Sequence, residues 1–252
     1  FTLDLSSIEW VVQHKVAPRR DRDAFGAAMA QLCARYAERA GEELISSAEL
    51  TASYPVNPLC LRALRRAAET CLSRTRSVAR LLQQAARERG WLGLPADRLI
   101  TPEVVFDVFR DELAMSATGR KHLGAYEAVR ANASRIAHGS EADLTAVMKT
   151  LCVLGVGELR WTEQMVRASL VGCEEASLWQ DTEKLRALLQ ALYLRGGYVE
   201  RTRREDGDEY FVEVSSSAAE RLRERLGALT AELGADDSRV LRAALAACRE
   251  PG

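Results

Sequence analysis

The chain lacks the patterns that most directly announce chemistry. It has no GxxxxGK[ST] loop and no GxGxxG, so it cannot by itself cradle a nucleoside triphosphate in the usual way. No HExxH or comparable metal spacing occurs. The three histidines, His14, His122 and His138, lie far apart and read as surface or hinge positions rather than ligands. The six cysteines (Cys33, Cys60, Cys71, Cys152, Cys173, Cys248) form no CxxC pair, which argues against zinc and a disulfide framework and for buried thiols of a cytoplasmic protein. No apolar run approaches the length that crosses a bilayer, and no signal peptide opens the chain, so no membrane partner is expected. A net charge of −1 removes the electrostatic announcement of a nucleic-acid binder. The carboxylate pairs Glu42-Glu43 and Glu174-Glu175 are adjacent rather than on one helix face, and read as solvated charge. No catalytic residue, metal site or resident cofactor is expected within the chain.

What is present is helical periodicity, ending in one hairpin. Phe25, Met29, Leu32 and Tyr36 form the stripe of a long helix opened by Asp21 or Asp23 and closed by Gly41. Asn57 suits an N-cap and Pro58 the first helical position, with Leu61, Leu64 and Ala68 facing inward. Val78, Leu81, Leu82 and Ala85 repeat the pattern before Gly90. Thr101-Pro102 starts a helix burying Val105, Phe106 and Phe109, and a polar helix is expected from about Lys121 to Ala137. His138-Gly139 reads as a hinge. Beyond it, Ser140 and Asp143 resemble a capping box ahead of Leu144, Val147, Met148 and Leu151. Trp161-Thr162 starts a short helix with Met165, Val166 and Leu170. Asp181 caps a third helix carrying Leu185, Leu188, Leu189 and Leu192, stopped by Gly196-Gly197. The runs Tyr198–Arg203 and Glu209–Val214 around Asp206-Gly207 are a hairpin signal. Three helices followed by a β-ribbon is the winged-helix order. After Ser215, Leu222, Leu226, Leu229 and Leu233 outline a further helix too short for a coiled coil.

The expected fold is therefore mainly α: a helical lid-like domain over 1–138, a winged-helix domain over 139–215, and C-terminal helices or a linker over 216–252. Two sets of cations are candidates for function. Arg74, Arg76 and Arg80 run along one edge of an apolar helix, where they either pair with acidic neighbours or reach a phosphate held by another domain. Lys184, Arg186, Arg201, Arg203 and Arg204 lie on the third helix and the wing, where a DNA-reading winged helix carries its contacts. Asp181, Glu183, Glu200, Glu205, Asp206 and Asp208 cancel most of that charge, which favours protein packing over phosphate binding.

The segment YPVNP (Tyr54–Pro58) followed by RTRSVARLL from Arg74 resembles the region beyond the nucleotide-binding core of large bacterial P-loop ATPases of the AAA+ type. These include the PglY and BrxC ATPases of BREX-type phage-defence systems, with their YPxHP…QRTRGVLRLL pattern. The stretch IEWVVQHKVAPRR (Ile8–Arg20) is similar to the helix leading out of such a core. Asn57 stands where that family usually has His, and Ser77 where it often has Gly. The resemblance implies a lid in which a sensor-like arginine, Arg76 first and Arg74 second, approaches the γ-phosphate. It also implies a winged helix behind the lid. The chain would then be the C-terminal fragment of a cytoplasmic ATPase, as its opening at Phe1 also invites. ATP and Mg2+ would be bound by the parent protein's upstream core and not by this fragment, and double-stranded DNA or other defence-system proteins would be partners. The rival readings are a stand-alone winged-helix transcriptional regulator and a scaffold docking through the Leu222–Leu233 helix.

Overall fold

The structure, a computed structural model, describes residues 22–40, 44–70, 78, 82–84, 86, 87, 90, 98–156, 160–173, 177–204 and 207–212. In order these form α1 (Arg22–Ala40), α2 (Ser47–Ser53), α3 (Pro58–Thr70), α4 (Pro102–Met115), α5 (Ala117–Ala131), α6 (Ala133–Ile136), α7 (Glu141–Val156), β1 (Trp161–Thr162), α8 (Glu163–Ser169), α9 (Ser177–Gln180), α10 (Thr182–Ala191), a π-helical turn (Leu192–Gly196), β2 (Val199–Arg204) and β3 (Gly207–Val212). The fold is mainly helical, with one small antiparallel sheet ordered β1-β3-β2.

Helix α7 is the axis of the core. Leu144, Val147, Met148, Leu151, Cys152, Val153, Leu154 and Val156 are all buried, so it is apolar on nearly every side. A helix of that kind must be enclosed, and α3, α4, α5, α10 and β3 all pack against it. The core is therefore continuous across His138-Gly139, and the described residues belong to one compact unit. Phe106 of α4, fully buried, meets Tyr126 of α5 with ring centroids 4.6 Å apart.

Several local expectations need correcting. The helix expected from Lys121 to Ala137 begins at Ala117, because the Ser116 hydroxyl accepts the Gly119 N–H at 2.8 Å and caps it there. It breaks at Asn132, whose side chain donates to the Ala128 carbonyl at 2.9 Å and competes with the helical ladder. Nor is it simply polar: His122, Ala125, Tyr126 and Val129 are buried. Trp161 and Thr162, expected to open a helix, form β1 opposite Tyr210 and Glu209, while Thr162 also caps α8 by accepting from Met165 N. The first α10 turn is capped by Asp181 as expected, and Gly197 sits at φ +75°, where glycine is favoured. Gly207 pairs with Arg204 as the first residue of β3. Ser7, Asp21, Gly41, Leu81, Ala85 and everything from Glu213 onward, including the Leu222–Leu233 stripe, lie outside the described residues.

Candidate functional site

The cations expected to meet DNA lie on α10 and β2 of the hairpin, each beside carboxylates of the chain itself. Lys184 Nζ lies 2.8 Å from Asp143 Oδ2, tying α10 to α7. Arg186 donates through Nε and Nη2 to both oxygens of Glu163 on α8, at 3.0 and 3.1 Å, and through Nη1 to Glu183 at 2.7 Å. The hydrogen bond to Glu163, with both carboxylates' charges, raises the Arg186 pKa further. The exposed Arg186 pairs stabilise little, but together with the half-buried Lys184–Asp143 pair they fix the local charge: around the start of α10, Lys184 and Arg186 stand among four carboxylates, Asp143, Glu163, Asp181 and Glu183. On the wing, Arg201 is mostly buried, 4.8 Å over the Tyr193 ring and 3.5 Å from Asp208. Arg204 pairs with Glu209 at 3.2 Å. Arg203 is exposed and stands opposite Asp208 in the strand register. The structure thus places Lys184 and Arg186 on α10, paired toward α7 and α8 respectively, and Arg201, Arg203 and Arg204 on β2, with carboxylates interleaved.

The YPVNP segment is the second notable place, and it is buried rather than open. Asn57 is fully enclosed. Its Oδ1 accepts from Leu59 N at 3.0 Å and Cys60 N at 3.4 Å, capping α3 as its sequence position suggests. Its Nδ2 does more, donating to the carbonyls of Ala168 at 2.9 Å and Val171 at 3.2 Å and to the Tyr36 hydroxyl. Tyr36 in turn donates to Ala168 O at 2.7 Å, and burial pushes its own pKa well up. Beside this, Val56 and Ile100 form a parallel bridge, Leu99 N donates to Gly172 O at 3.1 Å, and Arg98 donates to Cys173 O. At the end of α8, Leu170 N and Val171 N meet the Val166, Arg167 and Ala168 carbonyls, while donors from earlier in the chain add to Ala168 O and meet the carbonyls of the turn beyond. Sequence reasoning saw the cap and missed these bonds, because their partners lie 111 and 114 residues away.

His122, read as a surface or hinge residue, is instead buried on α5. Its Nδ1 meets Thr118 O at 2.9 Å, and its ring packs so closely on α7 that a Cβ at Gly155 would lie 2.8 Å from Nε2. Burial holds its pKa below the usual value, the Thr118 carbonyl opposes that, and Lys121 adds to the depression. In the window from its depressed folded pKa up to about 6.5, the unfolded chain binds a proton that the folded chain refuses. Stability should therefore be complete above about pH 6.5 and fall as the pH drops below it, by at most about 1.4 kcal/mol per pH unit. Urea unfolding at pH 7 and 5.5 should show this loss in the wild type and a smaller one in His122→Asn. Equal losses in both would mean that His122 titrates normally.

Elsewhere, a cleft of about 370 Å³ between α1 and α2 is lined by Cys33, Tyr36, Ile45, Ser46 and Leu50. Its Tyr36 and Ser46 hydroxyls are committed to Ala168 O and to Glu49 N. The four described cysteines are free thiols, and burial raises the pKa of Cys60 and Cys152, which keeps them unreactive. Among the described residues no cluster of His, Cys, Asp and Glu could hold a metal, and no helix is long and apolar enough to cross a membrane. Arg74, Arg76 and Arg80 lie outside the described residues. The chain matches no protein-family model, no curated protein and no solved structure.

Proposed function

We propose that this chain is a noncatalytic coupling module, the helical lid and winged helix of a bacterial P-loop ATPase, and that its winged helix works by packing on protein rather than by reading DNA. The observation that carries the reading is the chain order α7–β1–α8–α10–β2–β3, with only the four-residue α9 and a π-helical turn interposed, and with β3 central in the sheet. A winged helix has this order: two helices and a recognition helix, closed by a β-ribbon against a short first strand. The preference for protein rests on charge. A recognition helix presents its N-terminal residues to base edges between phosphates. Here that end of α10 carries Asp181 and Glu183, with Glu163 beside them, and both of its cations are ion-paired. Phosphate affinity grows with the number of cations able to release counterions, and these are already neutralised.

The lid assignment, the sensor role of Arg76 (or Arg74), and the association with phage defence are supported by the YPVNP…RTRSVARLL resemblance. In the parent protein ATP and Mg2+ would be held by the upstream core, and the lid would pass the nucleotide state to the winged helix and its protein partners. An arginine at a γ-phosphate stabilises charge that develops during transfer. Replacing Arg76 by Ala in the natural full-length product should therefore cut ATP turnover at least tenfold, a loss of about 1.4 kcal/mol or more in transition-state stabilisation. Unchanged turnover would sink the lid assignment. A duplex-DNA titration of this chain at increasing salt should give only weak binding. Tight, sequence-selective binding would favour the stand-alone regulator instead.

A further inference from the structure

We propose that the Asn57 junction is a latch: closed, it fixes the turn that follows α8; released, it frees that turn without unfolding the α5–α7 core. The latch goes beyond the ATPase reading and does not depend on it.

The chemistry of the turn requires outside help. Residues Ala168–Cys173 run from the last two residues of α8 into the turn beyond it and contain Gly172 at φ +87°. Four of their carbonyls, those of Ala168, Val171, Gly172 and Cys173, accept hydrogen bonds from Asn57, Tyr36, Leu99 and Arg98. Every one of these donors lies earlier in the chain, on α1, at the start of α3 or just ahead of α4. The segment's own backbone bonds are Val171 N to Ala168 O at 3.3 Å and Cys173 N to Leu170 O at 2.9 Å, so the carbonyls of Val171, Gly172 and Cys173 are the ones met from outside alone. Buried carbonyls stripped of donors cost free energy comparable to the lost bonds, so losing the donors favours an opened, hydrated turn. By contrast, α7 is held by apolar packing against α4 and α5, and Cys152 points its thiol at the His122 carbonyl within that layer. The turn shares the apolar core with α7, but only the turn also depends on side-chain and backbone donors from distant segments, and that difference is what opens one before the other.

Asn57 also gives the latch a handle. The same side chain caps α3 and holds the turn, so a shift of α3 along its axis moves the Asn57 amide relative to Ala168 O and Val171 O. In the sequence, Arg74 and Arg76 follow α3 within a few residues.

Two native thiols report on the two regions. Cys173 lies in the turn and Cys152 in the core, and both are buried. The full 252-residue chain is labelled with iodoacetamide under native conditions, and the rate at each cysteine is read by peptide mass spectrometry. Asn57→Ser keeps a good N-cap residue for α3 but is too short to reach Ala168 and Val171. It should speed Cys173 labelling at least tenfold while Cys152 changes less than twofold. Tyr36→Phe, which removes one donor to Ala168 and leaves the α3 cap alone, should give the same selectivity at smaller amplitude, and it decides the matter if Asn57→Ser does not fold. Equal acceleration at Cys152 and Cys173 would mean that these bonds support only global stability, and no acceleration would mean that they do not hold the turn. Either result overturns the latch.

Discussion

Gly172→Ala should destabilise the chain by about 3–6 kcal/mol. Three costs act at once. The residue sits at φ +87°, where an L side chain costs about 1–2 kcal/mol. The added Cβ would lie 2.8 Å from the Leu99 Cβ and Cγ and 2.9 Å from Leu99 N, so backbone must move rather than a flexible tip. Leu99 is itself fully buried, and overpacking of this kind costs about 1–3 kcal/mol. Moving Leu99 also breaks its N–H bond to Gly172 O, worth about 1 kcal/mol net. Gly139→Ala is the natural control. That glycine has φ +78° but nothing within 4 Å of its Cβ position, so it should lose only the conformational part. Urea midpoints for the two variants separate the explanations. If both fall by the same amount, the close approach to Leu99 contributes nothing.

The contrast between these two glycines shows where sequence reading stops. Signals carried within a few residues were legible. Asp181 capping α10, Asn57 capping α3, Pro58 in its first turn and the stripes of α1, α4 and α7 all follow from local spacing, and the structure has them. So was the hairpin, whose strands pair Val199 with Val212 through Arg204 with Gly207. Signals that need a distant partner were not. Two residues cannot display a strand period, and Trp161-Thr162 becomes β1 only because Tyr210 and Glu209 arrive beside it. The π-helical turn at Leu192–Gly196 follows a good helical pattern and leaves no mark of its own. The five candidate cations could be named, but not their partners: Glu163 lies 23 residues from Arg186, and Asp143 belongs to a different helix from Lys184. Composition gave near neutrality on average, while the packing decides which cations remain available. His122 was misplaced for the same reason, since its burial depends on Gly155 offering no side chain.

Two glycines of one helix should respond to alanine with opposite signs. In α5, Gly124 is exposed and a Cβ there meets nothing within 4 Å. Alanine at that position restricts the unfolded chain and suits the helix, so Gly124→Ala should stabilise by about 0.5–1 kcal/mol. Propensity alone gives Gly119 the same forecast, because it too lies in α5. The geometry reverses it. A Cβ on Gly119 would stand 2.1 Å from Leu113 O and 2.7 Å from Leu113 C, the last turn of α4, and 2.7 Å from the Ser116 hydroxyl. That hydroxyl is the cap that starts α5, and Ser116 N is bonded to Leu113 O at 3.2 Å. The corner between α4 and α5 is thus built around a missing methyl group, and no rotamer change relieves a clash with a carbonyl. Leu113 is buried against the core and cannot retreat. Gly119→Ala should therefore cost about 3 kcal/mol, combining overpacking with loss of the cap, and Gly119→Ser should cost at least as much. Thermal and urea unfolding of the two alanine variants beside the wild type tests this directly. Stabilisation by both would show that the corner opens at little cost, and that helix propensity rather than the α4–α5 contact governs this position.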